Sequence, residues 1–131
     1  MKKVVWGVLS TARIGVDQVL PAMRASPLIE LRAIASRSLA AAQAAAQALG
    51  IPRAYGSYEE LLADPEIEAV YNPLPNHLHA PWTGRAAEEG KHVLCEKPLA
   101  LDTAEAARMI EDCRRADVVL MEAFMYRVHP L

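Results

Sequence analysis

The chain has 131 residues, 53% of them hydrophobic, a net charge of −2 at neutral pH and two cysteines. That is one domain's worth of sequence with enough apolar residues for a core. It shows no basic excess for nucleic acid, no disulfide framework and no apolar run near the roughly 20 residues of a membrane span.

The Met1-Lys2-Lys3 start leads straight into a strand pattern, without the apolar core or cleavage site of a signal peptide, so a cytoplasmic protein is expected. Lys2 to Leu9 reads as the first strand. Ile14 to Arg24 reads as a helix in which Pro21 should introduce a kink or an early end. Ile29 to Ser36 is a second strand. The Ala-rich run Leu39 to Leu49 is a helix closed by Gly50. Ala54-Tyr55 is a very short third strand, and Ser57 with Glu60 has capping-box spacing for a short helix. Ala69-Val70-Tyr71 is the heart of a fourth strand. His79 to Glu89 is helical and stops at Gly90. His92 to Cys95 is the fifth strand, with Cys95 as an inert core thiol. Asp102 and Glu105 open a helix to about Arg115, and Val118 to Phe124 is a sixth strand. Strands alternating with helices of about ten residues predict a doubly wound α/β fold, a parallel sheet covered on both faces in the Rossmann manner. No linker interrupts it, so residues 1–131 are expected to form one domain.

Four strand ends carry candidate chemistry. After the first strand, the glycine positions of a G-x-G-x-x-G turn hold Ser10, Ala12 and Gly15. Small side chains there let a backbone approach a pyrophosphate at a helix N-terminus, and Ser10 and Thr11 add hydroxyls. The alternative is an ordinary tight turn. After the second strand, where an NAD protein usually has an acid for the ribose, the chain has Ser36-Arg37-Ser38. Arg37 offers a planar fork for a 2′-phosphate. Otherwise it is a solvated cation beside a helix cap. Together the two turns favour NADP over NAD, with NAD as the alternative.

After the fourth strand, Pro73 and Pro75 stiffen a loop suited to a nicotinamide. His77 and His79 lack a Cys or acidic partner at ligand spacing, so no metal is expected. Both read equally as polar residues at a helix start, with Asn76 as cap. After the fifth strand comes Glu96-Lys97-Pro98. Its position predicts a Lys held out of bulk solvent, before a proline able to adopt the cis form. Such a Lys can bond a substrate hydroxyl while hydride leaves the adjacent carbon. Glu96 could pair with it or hold ribose hydroxyls.

The turn from Trp6 to Ile14, the Leu74-Pro75-Asn76-His77-Leu78-His79 loop, the run from Gly90 to Pro98 and the run from Glu122 to Pro130 resemble the glucose–fructose oxidoreductase / inositol dehydrogenase family (Gfo/Idh/MocA), in its dihydrodiol and D-xylose dehydrogenase-like branch. The resemblance implies that Lys97 is the catalytic lysine and also touches the cofactor. It implies that Ser10, Thr11, Ala12, Arg13 and Ile14 hold the pyrophosphate, and Ser36 and Arg37 the adenosine phosphate end. Leu74, Pro75, Asn76 and His79 would lie near the nicotinamide, Glu96 near its ribose, and Arg127 close to the nucleotide where the chain leaves the cofactor domain.

Members of that family continue into a second α+β domain, which supplies another acid–base residue, most substrate contacts and much of a homo-oligomer interface. No such sequence follows here, so an incomplete enzyme is expected from these 131 residues. A sugar or diol is the expected substrate of the intact enzyme. A nucleotide-binding or sensor module without catalysis is the alternative.

Overall fold

The computed structural model describes residues 2–13 and 15–123. Its sheet has six strands: β1 (Val4–Leu9), β2 (Ile29–Ala35), β3 (Arg53–Tyr55), β4 (Ala69–Asn72), β5 (His92–Glu96) and β6 (Leu120–Ala123). They lie in the order β3-β2-β1-β4-β5-β6 and every neighbouring pair is parallel. The doubly wound expectation holds. The order reverses between β1 and β4, which opens a crevice at the carboxyl ends of those strands.

Among the described residues five α-helices cover the two faces: α1 (Leu20–Ala25), α2 (Leu39–Leu49), α3 (Tyr58–Leu62), α4 (His79–Glu88) and α5 (Thr103–Arg115). Leu20 and Met23 of α1 and Ala46 of α2 pack with Val8, Ile34 and Tyr71 on one face. Tyr58 and Leu61 of α3, Ala86 of α4 and Met109 of α5 pack with Leu9, Val70, Val93 and Cys95 on the other. Burial on both faces is what makes these strands read as apolar runs rather than as alternating ones.

Register explains two details. Trp6 pairs with Leu31 but Gly7 pairs with Ala33, so Arg32 is an extra residue in β2. This bulge puts Leu31 and Ile34 on one face and Ala33 and Ala35 on the other. Arg32 is released to bond Glu30 and Glu66. At Gly7 the side chain of Leu61 from α3 lies against the strand, since a Cβ there would stand 2.7 Å from Leu61 Cδ2.

The caps follow the sequence. Ser38 accepts from the Ala41 N–H, and Gly50 closes α2 with φ 68°. Ser57 accepts from Glu60. Asp102 accepts from Glu105 N–H at 2.8 Å while the Glu105 carboxylate accepts from Leu101 N–H at 3.0 Å. The expected helix Ile14 to Arg24 is corrected: Gly15–Val19 is a π-helical turn, and α1 then begins with Pro21 in its first turn. A proline has no N–H to give, and the first turn is where none is needed. The sixth strand is shorter than expected at its start, and Phe124 lies outside the described residues.

Candidate active site

At the end of β1 the chain turns at Ser10, whose φ of 145° is positive. A dinucleotide turn ordinarily uses glycine there. The Ser10 hydroxyl accepts the Ala12 N–H at 2.9 Å and so ties the turn to itself. Thr11 and Ala12 are half-buried beside it. Arg13 is exposed and lies 3.4 Å from Asp17. Ile14 lies outside the described residues.

At the end of β2, Ser36 Oγ accepts from Ser38 N–H at 3.2 Å, and Arg37 projects into solvent. Arg37 lines a groove of about 560 Å³ with Gly56, Ser57, Tyr58, His77 and Trp82 among its walls. Glu59 also borders it. Trp82 is fixed by an edge-on contact to Tyr58 at 5.0 Å and by Arg85 stacked 4.6 Å over its ring. The sequence reading did not assign Gly56, Ser57, Tyr58 or Trp82 to any site. They come from the entry into α3 and from α4, and the fold brings them to Arg37.

The β4 loop is held from inside. Asn72 is fully buried. Its amide donates to His79 O and Thr83 Oγ1, each at 3.3 Å, and its oxygen accepts from Leu74 N–H at 3.2 Å. His79 is buried as well. Its Nε2 lies 2.6 Å from Leu74 O and its Nδ1 2.8 Å from Pro98 O. The imidazole therefore bridges the β4 loop to the turn after β5. Leu74 and His79 are buried while Pro75, Asn76 and His77 are exposed. Asn76 is not the cap expected of it: it is the first residue of a 3-10 turn, Asn76–Leu78, without a side-chain cap.

The turn after β5 holds Glu96, Lys97 and a cis Lys97-Pro98 bond. Glu96 accepts from the Tyr71 hydroxyl rather than pairing with Lys97. Burial, reinforced by that carboxylate, pushes the Tyr71 phenol far above its ordinary range, so it remains a donor. Leu99 N–H donates to Glu122 Oε2 of β6 at 2.8 Å. Lys97 itself is exposed, which corrects the expectation that the strand end would shield it. It stands in the turn just past the carboxyl end of β5. Cys95 is the inert core thiol expected, fully buried and pushed up to about 12 by that burial. Arg127 lies outside the described residues. Among the described residues no cluster of metal-ligating side chains occurs.

Residues 4–124 match the oxidoreductase family Gfo/Idh/MocA, NAD-binding Rossmann fold. The chain belongs to this family. It is 59% identical over 126 residues to a D-xylose 1-dehydrogenase (NADP(+)) of Haloferax volcanii, covering 96% of this chain and 38% of that protein. It is 41% identical to a trans-1,2-dihydrobenzene-1,2-diol dehydrogenase of Xenopus laevis, over 96% of this chain and 38% of that protein. The structure is similar to a 3-ketoreductase from Actinomadura kijaniata solved with TDP-benzene and NADP, with TM-score 0.93 and 42% identity over 98% of this chain and 40% of that one. These Gfo/Idh/MocA relatives include the dihydrodiol and D-xylose branch to which the motifs pointed, and the chain spans about two fifths of their length.

Proposed function

We propose that residues 1–131 form the cofactor domain of an NADP(H)-dependent dehydrogenase acting on a hydroxyl of a sugar, polyol or diol. The observation that carries this is the gathering of the Ser10 turn, the Arg37 groove and the Lys97 turn along the carboxyl edge of one sheet, around the β1–β4 crevice. The relatives named as a D-xylose 1-dehydrogenase and a trans-1,2-dihydrobenzene-1,2-diol dehydrogenase support the substrate class.

The donor set fits a dinucleotide. Small residues line the first turn, a cationic fork stands where NAD proteins have an acid, and an open groove with an aromatic wall adjoins it. Ser10, Thr11, Ala12, Arg13 and Ile14 would hold the pyrophosphate, and Ser36 and Arg37 the 2′-phosphate end. Pro75 and Asn76, on a loop stiffened from beneath by Asn72 and His79, would border the nicotinamide, with Glu96 near its ribose and Arg127 close by. Leu74 and His79 serve that region by shaping the loop. When bound, the nicotinamide supplies a hydride acceptor and donor. Lys97 bonds the substrate hydroxyl through its ammonium, orients the reacting carbon and stabilises charge developing on the oxygen. The two buried thiols suit a reducing cytoplasm.

Charge-assisted contacts to a phosphate contribute about 1.5–3 kcal/mol, or roughly ten- to a hundredfold in affinity. Calorimetry is therefore expected to show NADP(H) binding more tightly than NAD(H), and Arg37→Ala is expected to erase most of that gap. Equal affinities of the wild-type chain for the two cofactors would overturn the assignment.

A further inference from the structure

We infer that Glu122 is a positioning residue: from β6 it fixes the turn that carries Lys97 and so sets where that amine stands against the cofactor. This rests on the proposed function. Lys97 is exposed, so packing does not fix its ammonium. A lysine has a long, freely rotating stem. Its head can be placed only as well as its backbone is held.

The turn is held from outside at three points, two of them on its backbone. Tyr71 bonds the Glu96 side chain, His79 faces Pro98 O, and Glu122 accepts from Leu99 N–H. The first two anchors lie on β4 and α4. Glu122 is the anchor from the other side of β5. In register Glu122 stands beside Cys95, and Ala123 beside Glu96. The Glu122 carboxylate must therefore reach forward past the strand end to meet Leu99. Its bond is to a formal charge and is stronger than one between neutral groups. Without it the turn keeps polar anchors on one side alone, together with the packing of Leu99 and Ala100 on the core.

The test uses the 131-residue chain, NADPH and a small amine-acetylating reagent, with Lys97 modification followed by peptide mass spectrometry and Lys2 and Lys3 as internal standards. Saturating NADPH should slow acetylation of wild-type Lys97. In Glu122→Ala that protection should fall by about tenfold, while the Kd for NADPH changes by less than about threefold. Glu122→Gln retains an oxygen that can accept the Leu99 N–H and should restore most of the protection. A residue that merely stabilised the fold would lower the melting temperature and leave protection in the folded chain unchanged. Should the alanine variant fold poorly, Glu122→Asp keeps the charge but retracts the carboxylate by one methylene, and it should show the same loss.

Wild-type protection in both the Ala and Asp variants would overturn the inference. NADPH binding that leaves wild-type Lys97 unprotected would overturn it too, by removing Lys97 from the cofactor. A wild-type chain that binds no NADPH overturns the proposed function first, and this inference with it.

Discussion

Ser10 occupies a backbone conformation that side chains avoid, and two opposing terms decide what replacing it does. A non-glycine residue at such a φ costs about 1–3 kcal/mol. The bond from Ala12 N–H to Ser10 Oγ returns about 1 kcal/mol. Ser10→Gly relieves the strain, loses the bond and adds about 0.5–1 kcal/mol of chain entropy. Its stability should stay within about 1 kcal/mol of wild type. Ser10→Ala keeps the strain and loses the bond, so urea unfolding should show it less stable by about 1 kcal/mol. An alanine variant as stable as wild type would show that the hydroxyl contributes nothing. For Lys97 the expectation is kinetic. In a catalytically complete protein carrying these residues, Lys97→Met should bind NADP(H) nearly as before and turn over aldoses or trans-diols about 10²–10⁴-fold more slowly. Unchanged turnover would remove Lys97 from the chemistry. Both residues are legible from sequence because each immediately follows an apolar strand. Asn72, His79 and Glu122 are less so, because what matters is which distant backbone group each one meets.

Among the elements, β5 couples burial to pH. Cys95 is fully buried, and its thiol is raised from 9.0 to about 12. The unfolded thiol gives up its proton from about pH 9 upward while the native one keeps it. Stability from this group is thus complete below pH 9 and falls by about 1.4 kcal/mol per pH unit until native ionisation begins near 12. Cys95→Ala should be less stable at neutral pH because it leaves a small cavity, yet lose stability less steeply above pH 9. Parallel slopes for the two proteins would contradict this. The elements themselves were largely legible. Caps at Ser38, Gly50, Ser57 and Asp102 announce helix ends by local chemistry, which a single sequence carries. The π-helical Gly15–Val19 turn and the bulge at Arg32 were not announced. Each is decided by how the segment must meet its neighbours, and neither departs from the apolar pattern that signals helix or strand.

At the scale of the molecule, alternating strands and helices imply a parallel sheet, and right-handed crossovers narrow the strand order to a few choices. What the pattern leaves open is the fate of the last edge. Strand β6 ends the sheet, and among the described residues no strand pairs with its outer side. Around it lie exposed apolar side chains: Val119 at 64%, Met121 at 43% and Ile110 at 56%. An open cavity of about 430 Å³ between α5 and β6, lined in part by Leu99, Ile110 and Leu120, continues the same face. An unpaired edge offers a row of backbone groups to another strand, and an apolar rim favours keeping it there. These 131 residues alone are therefore expected to self-associate, with sedimentation or light scattering showing a mass that rises with concentration. Met121→Lys places a charge on the edge strand, where charge opposes pairing, and should shift association to about tenfold higher concentration, a change of about 1.4 kcal/mol. Its cofactor affinity should not change, because Met121 lies away from the Arg37 groove and the Ser10 turn. A wild-type chain that remains a monomer at all concentrations would show that this face is stable in water as it stands.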